Sequence, residues 1–224
     1  MWLLKIIEKI ILKRIPVSYR IWKKIGFFKH GGMDNCEYSK HIFERHVEYM
    51  QTIYKKKNPI IMEIGPGDSI VTGICSSIYK PRKVYLIDVN SFANKDIFFY
   101  KSFIRKMKSQ GIKLSIDDSD FNTFEELIDI CNISYLTDGL KSFQTIKNET
   151  VDYIFSHSVL EHVRLSEVKP LINEIYRILK SDTGLISHQI NYQDHLENSL
   201  NHLRFSRAIW ESKLFSSSGF YTNR

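Results

Sequence analysis

The fold is decided by the stretch Ile61-Met62-Glu63-Ile64-Gly65-Pro66-Gly67-Asp68-Ser69. An apolar run ends there in a glycine turn, and a helical pattern follows the turn. Gly65 and Gly67 carry no side chain where a ligand would approach the backbone, and the first N–H groups of the following helix are free to bind that ligand. The stretch therefore predicts a buried strand, a ligand-binding turn and a helix.

Short apolar runs and helical patterns alternate from about residue 58 onward. The runs cover residues 60–64, 84–87, 133–136, 151–155 and 185–190, and the helical patterns lie near residues 70–79, 92–109, 122–131 and 166–180. Near-continuous apolar strands separated by helices are typical of a parallel sheet that is covered on both faces. We therefore predict an α/β domain with a doubly wound, mostly parallel sheet over residues 58–224. Residues 1–57 are predicted to form a basic, amphipathic helical extension.

The second predicted strand ends at Asp88, 21 residues after Gly67. In a doubly wound sheet, an acid at this strand end accepts hydrogen bonds from the hydroxyls of a ribose. The glycine turn and the acid together predict a ligand that contains adenosine. NAD is disfavoured because the dinucleotide fingerprint needs a third glycine where this sequence has Ile70.

Four segments resemble motifs of the class I S-adenosylmethionine-dependent methyltransferases. They are residues 63–67, Asp88, residues 135–139 and residues 152–163, although Ser69 stands where many members have a third glycine. The resemblance implies a Rossmann-like fold, methyltransferase activity and S-adenosylmethionine as the cofactor. It also implies the residues that bind this cofactor, which are Glu63, Gly65, Pro66, Gly67, Asp88, Asp138 and Gly139.

A narrower resemblance concerns the acceptor of the methyl group. Residues 30–33 and residues 187–196 resemble segments of methyltransferases that act in bacterial surface-polysaccharide biosynthesis. This implies a small, sugar-like acceptor that is methylated on a hydroxyl. His157 is not followed by the Pro-Pro-aromatic run of enzymes that methylate amines of nucleic-acid bases, and no nucleic-acid partner is predicted.

A hydroxyl acceptor must lose its proton as the new bond forms, so the site needs a base or a metal. His157 follows the fourth strand, and His188, Asp194 and His195 follow or close the fifth. These four residues are the predicted catalytic group. A structural role for His157 and a solvated loop for the other three remain open alternatives. Their spacing is not a metal signature, so no metal site is predicted.

The net charge of +7 is concentrated at the N-terminus. Residues 1–30 contain eight basic side chains and one acid, whereas the rest of the chain has 24 of each. Apolar residues recur at helical spacing between residues 2 and 15, and Trp2 and Trp22 suit a membrane interface. We predict that residues 1–24 contact an anionic membrane. The alternative is a helix that packs on the domain's own core.

Two further features bear on localisation. No uncharged apolar run has the length of a membrane span, and three cysteines at unrelated spacings fit neither a disulfide framework nor a zinc site. These features predict a cytoplasmic protein, either soluble or peripheral at the inner face of the membrane.

The C-terminal residues bear on how complete the sheet is. Residues 216–221 resemble the turn that leads into a sixth strand, and the sequence stops at Arg224. We expect five parallel strands. We also expect that the sheet is truncated or that another element covers the edge of strand five.

Two alternative functions remain open at this stage. The first is an NAD(P)-dependent oxidoreductase or epimerase, which Ile70 opposes. The second is a noncatalytic protein that keeps the methyltransferase fold for binding.

Overall fold

This computed structural model describes residues 2–12, 14–17, 21–22, 32–53, 57–194, 199–218 and 221–223. The strands are β1 (Ile60–Ile64), β2 (Lys83–Ile87), β3 (Ile133–Leu136), β4 (Tyr153–His157) and β5 (Leu185–Gln189). The helices are α1 (Trp2–Leu12), α2 (Cys36–Ile53), α3 (Val71–Ser76), α4 (Ile97–Ser109), α5 (Phe124–Ile130), α6 (Leu140–Phe143), α7 (Leu165–Ile178), α8 (Arg207–Trp210) and α9 (Lys213–Ser216). Short 3₁₀ helices cover Ser77–Tyr79, Leu160–His162 and Asn201–Arg204.

The described strands form one sheet in the order β3-β2-β1-β4-β5. β1 is parallel to β2 and to β4, and β2 is parallel to β3. The chain adds β2 and β3 on one side of β1 and then returns to add β4 and β5 on the other side. This confirms the predicted doubly wound fold and, within the described residues, the five strands. In such sheets, ligands bind at the carboxyl ends of the strands where the order reverses, which here is beside β1.

Strand β4 begins two residues later than its apolar run predicts, so His157 is the last residue of the strand. Val151 forms only an isolated bridge with Leu179. The carboxylate of Asp152 accepts a hydrogen bond from the N–H of Ile60 (2.8 Å) and forms a salt bridge with the ammonium group of Lys180 (2.7 Å). The backbone N–H of Asp152 also donates to the carbonyl of Ile60 (2.9 Å), so Asp152 lies at the junction between the isolated bridge and the strand.

The chain divides into two compact units that do not follow the predicted boundary at residue 57. The sheet unit contains residues 30–156 and 173–187, and the terminal unit contains residues 1–29, 157–172 and 188–224. Helix α2 belongs to the sheet unit because Phe43, Val47 and Met50 are buried in the same apolar core as the strands. An amphipathic pattern shows that a helix buries one face, but it does not show against what.

Helix α3 packs unusually close to the sheet at Gly73. A Cβ atom on this residue would lie 2.8 Å from Cδ1 of Ile133 on β3. Ile70, where the dinucleotide fingerprint has its third glycine, is instead a fully buried core residue. The glycine that permits close packing of helix and strand is therefore one turn further along the chain.

The terminal unit has a small aromatic core of its own. Ile6, Trp210 and Tyr221 are buried together, and the indole Nε1 of Trp210 donates to the carbonyl of Thr222 (2.7 Å). Among the residues that the structure describes, no helix combines the length and the hydropathy of a membrane span.

The C-terminal residues of this unit bind the turn that follows β4. A ring nitrogen of His162 lies 2.8 Å from the carbonyl oxygen of Tyr221, and the amide of Asn223 donates to the carbonyls of Leu160 (2.6 Å) and Val163 (2.9 Å). Residues 221–223 therefore hold a turn and do not pair as a strand. Gly219 and Phe220, in the segment that resembles the approach to a sixth strand, lie outside the described residues.

Candidate active site

The glycine turn directly continues β1. Gly65 and Gly67 have φ angles of 74° and 66°, in the left-handed region that side chains other than glycine disfavour. The N–H of Gly65 donates to the carbonyl of Ile87 (2.8 Å), which extends the pairing of β1 with β2 by one residue. The turn therefore starts where the sheet ends, as its sequence predicts.

Asp88 joins three of the predicted cofactor-binding segments. One carboxylate oxygen accepts the N–H of Gly67 (3.0 Å), and the other accepts the N–H of Val89 (2.7 Å). Its backbone N–H donates to Leu136 (2.9 Å), and its carbonyl accepts the N–H of Gly139 (2.9 Å). The sheet unit thus brings the glycine turn, the strand-end acid and the segment after β3 together at one edge.

The segment after β3 has an exposed residue at this edge and is fixed by a hydrogen bond to α6. Asp138 is exposed, and its N–H donates to the hydroxyl of Ser142 (3.1 Å). Gly139 has a φ of 55°, and a Cβ atom there would lie 3.3 Å from Cγ1 of Val89. Both the backbone conformation and the close neighbour favour glycine at this position.

Two tyrosines hold the loop that follows Asp88. The sequence placed Tyr135 in the motif of residues 135–139 but did not predict this contact, and it did not single out Tyr100. The hydroxyl of Tyr135 accepts the N–H groups of Phe92 (3.0 Å) and Ala93 (3.2 Å). The hydroxyl of Tyr100 donates to the carbonyl of Asn94 (2.6 Å). Tyrosine is typical of strands and helices alike, so no local pattern marks these two as loop anchors.

Glu63 is buried beneath the turn, and its carboxylate accepts a hydrogen bond from the hydroxyl of Thr72. Burial raises the pKa of Glu63 to about 8, although the bond from Thr72 opposes this shift, and the nearby charge of Asp88 adds to the increase. Without a ligand, the acid is therefore mostly protonated at neutral pH. A cation placed beside it would favour the ionised form.

The terminal unit contains the candidate groups for the acceptor. His157 ends β4 and is partly buried, and the next residue, Ser158, has a φ of 53°. The N–H of Ser158 donates to the carbonyl of Gln189 (2.9 Å), which ties the ends of β4 and β5 together. A non-glycine residue in this conformation is strained, and such strain is concentrated at functional sites.

His188 lies near the end of β5 and is partly buried. Burial lowers the pKa of its imidazole below the usual value because the charged form loses its hydration. The ring is therefore neutral at neutral pH, which is the form that can accept a proton.

Asp194 is fully buried and binds the start of the 3₁₀ helix Asn201–Arg204. Its carboxylate accepts the N–H of Asn201 (2.5 Å) and lies 3.8 Å from Nδ1 of His202. His195 lies outside the described residues. The catalytic roles of these two residues stay predictions.

Glu161 is a buried acid in the 3₁₀ helix that follows β4. It is only 1% exposed. One oxygen accepts the N–H of Asn191 (3.2 Å), and in the described part of the chain the other has no hydrogen-bond partner. Burial raises the pKa of this carboxyl. Glu161, four residues after His157 in the sequence, is therefore a poorly solvated acid in the folded protein.

A family model described as a methyltransferase domain matches residues 101–186. Residues 101–186 therefore resemble a methyltransferase domain. The match runs from within α4 into β5, and the glycine turn and Asp88 precede it. Together with the sheet order, it confirms the predicted methyltransferase class and its cofactor, S-adenosylmethionine. Among curated proteins, none has a sequence that matches this chain.

Three solved structures resemble this chain. One is from the complex between the Haloferax volcanii Trm112 methyltransferase activator and a methyltransferase, with 11% identity, a TM-score of 0.45, and coverage of 87% of this chain and 66% of that one. The plantazolicin methyltransferase BamL, in complex with a triazolic desmethylPZN analogue and SAH, has 16% identity, a TM-score of 0.41, and coverage of 82% and 57%. A methyltransferase from Methanococcus maripaludis has 16% identity, a TM-score of 0.36, and coverage of 80% and 75%. The chain therefore spans less than two thirds of the first two relatives.

Glu63, the buried acid beneath the glycine turn, gives a prediction about pH and stability. The pKa of Glu63 is about 8 in the folded protein and 4.5 ordinarily. Its contribution to folding is therefore complete below about pH 4.5 and is lost as the pH rises to about 8. We expect Glu63→Gln, which cannot ionise, to remove this loss, which reaches about 1 kcal/mol for each pH unit.

Urea unfolding of both proteins across this pH range measures the effect without any ligand. The control is Glu125→Gln, because Glu125 is an exposed acid of the same unit. This control should keep the wild-type dependence on pH. Parallel curves for the wild type and Glu63→Gln would contradict the assignment of a protonated Glu63.

Proposed function

We propose that this protein transfers the methyl group of S-adenosylmethionine to a hydroxyl of a small, sugar-like acceptor. The observation that carries the proposal is the bond from Gly67 to Asp88 at the carboxyl end of β1 and β2. It places an anionic acceptor for ribose hydroxyls next to a turn without side chains. The whole chain's activity and its acceptor are parts of this proposal.

The residues of the sheet unit suit the parts of this cofactor. Asp88 suits the ribose, and the segment at Asp138 and Gly139 suits the adenine. Glu63 suits the cationic methionine end, since a nearby cation would ionise this protonated acid. The core position of Ile70 continues to disfavour a dinucleotide.

When bound, S-adenosylmethionine supplies an electrophilic methyl group on a sulfonium. The carbon–sulfur bond breaks as the acceptor oxygen bonds the methyl carbon, the sulfur keeps the electron pair, and S-adenosylhomocysteine leaves. The protein's task is to orient the acceptor and to take up its hydroxyl proton. We assign the proton to His157, because it ends β4, the strand that pairs with β1.

His188 and Glu161 complete the acceptor side in this proposal. A neutral His188 can accept a hydrogen bond from an acceptor hydroxyl, and burial keeps its imidazole neutral. Glu161 holds the segment after β5 through Asn191. Acid and imidazole groups of this kind suit an acceptor with several hydroxyls, which agrees with the resemblance of residues 187–196 to surface-polysaccharide enzymes.

Titration calorimetry tests the cofactor part of the proposal. We expect S-adenosylhomocysteine to bind with one-to-one stoichiometry and NADPH to give no binding heat. Binding of NADPH alone would favour the oxidoreductase alternative. Binding of neither would favour a noncatalytic protein.

The acceptor part needs a separate experiment. S-adenosylmethionine with a ¹³C-labelled methyl group is incubated with the protein and a panel of free and nucleotide-linked sugars. The chemical shift of the transferred carbon distinguishes a methyl ether from an N-methyl or S-methyl product. A product methylated on nitrogen would contradict the hydroxyl acceptor and leave the cofactor assignment intact.

A further inference from the structure

Helix α1 has an apolar arc that is buried on one side and exposed on the other. Successive helical residues are about 100° apart, so one arc of about 160° contains five large apolar side chains among those that the structure describes. These are Leu4, Ile6, Ile7, Ile10 and Ile11. The two sides of this arc have different surroundings.

One side of the arc anchors the helix. Ile6 is 3% exposed in the cluster with Trp210 and Tyr221, and Ile10 packs against the same cluster. Burial of these side chains fixes the rotation of α1 within the terminal unit. Ile6 and Ile10 thus pack in the small cluster of the terminal unit, which is separate from the apolar core of the sheet unit.

The other side of the arc is exposed to solvent. Leu4, Ile7 and Ile11 are 69%, 55% and 57% exposed, and they form one stripe because they are three and four residues apart. We call these three residues the α1 stripe. Single exposed apolar side chains are ordinary, but an aligned set on an anchored helix marks an interaction surface.

The net charge of the N-terminal sequence indicates what covers the stripe. Residues 1–30 hold the whole excess of +7, and the rest of the chain is balanced. Arg14 is exposed just after the helix, and its guanidinium donates to the carbonyl of Ile10 (2.6 Å), which holds a cation at that end of α1. A helix that combines an apolar stripe with basic residues suits the headgroup region of an anionic bilayer.

We propose that the α1 stripe inserts into the surface of an anionic membrane, with the basic residues of 1–30 meeting its headgroups. Ile6 and Ile10 keep the helix attached to the terminal unit while the stripe is buried in lipid. This inference does not rest on the proposed methyl transfer, because it concerns only α1 and its charge.

Flotation with vesicles of phosphatidylcholine and phosphatidylglycerol tests the proposal on the full chain at low salt. The variant is Leu4→Gln/Ile7→Gln/Ile11→Gln, which leaves the anchoring side intact. Its matched control is Phe98→Gln/Ile130→Gln/Ile172→Gln, which removes three exposed apolar side chains from other helices. Circular dichroism and thermal melting verify that both variants are folded.

We expect the wild type and the control to float with anionic vesicles, and the stripe variant to lose about tenfold or more of its partitioning. Vesicles of phosphatidylcholine alone, or high salt, should weaken wild-type binding because the charge attraction is removed or screened. No flotation of the wild type would overturn the proposal, as would equal flotation of the stripe variant. A lipid-free dimer that the stripe variant converts to a monomer would also overturn it, since a second copy would then cover the stripe.

Discussion

His157→Ala is expected to lower the turnover number about 100-fold or more while leaving the affinity for S-adenosylhomocysteine unchanged. The imidazole ends β4, and the strained Ser158 turns the chain directly after it. A base acts on the acceptor proton in the transition state and does not bind the cofactor. Its loss should therefore reduce turnover without weakening cofactor binding.

Three companion variants make this test specific. His157→Gln keeps a hydrogen-bonding group but cannot take up a proton, so it should be as slow as His157→Ala. His188→Ala should lower turnover less if His188 only binds the acceptor. His41→Ala replaces an exposed histidine of α2 and should be fully active.

The dependence of turnover on pH separates a base from a structural histidine. For the wild type, we expect turnover to rise as the pH passes through the pKa of a neutral base, and this rise should be absent in His157→Gln. Full activity of His157→Ala would show that positioning alone suffices for transfer, and the base assignment would then be wrong.

Asp88→Ala is expected to weaken the binding of S-adenosylhomocysteine by about 10- to 150-fold, which corresponds to about 1.5 to 3 kcal/mol. A carboxylate that accepts hydrogen bonds from ribose hydroxyls forms charge-assisted bonds, and their loss is costly. Calorimetry measures the change directly. Asp129→Ala replaces an exposed acid on α5 in the same unit and should bind like the wild type.

Asp88 also holds the glycine turn through Gly67, so the loss of affinity has two possible origins. An analogue of S-adenosylhomocysteine that lacks both ribose hydroxyls separates them in a double cycle. If Asp88 binds the ribose, the wild type loses affinity for the analogue and Asp88→Ala loses little more. Independent, additive losses would show that Asp88 only holds the turn.

Local sequence patterns predicted the sheet well. The bounds of β1 and β3 agree with their apolar runs, because a strand buried on both faces needs a continuous run of apolar residues. β4 is shifted by two residues toward its carboxyl end, and the side chain of Asp152 just before it binds the N–H of Ile60 and the ammonium group of Lys180. Hydrogen bonds between residues that are distant in the sequence cannot be predicted from a local run of apolar residues.

The sequence alone determined the order of strand, turn and acid from Glu63 to Asp88, because glycine conformation and residue periodicity act within a few residues. Only the tertiary structure decided that Glu161 is a buried acid with a raised pKa and that α1 leaves three apolar side chains exposed. Both outcomes depend on residues far away in the chain, such as Asn191 for Glu161 and Trp210 for Ile6. Burial removes water from a group according to what packs against it, and that partner is chosen by the fold.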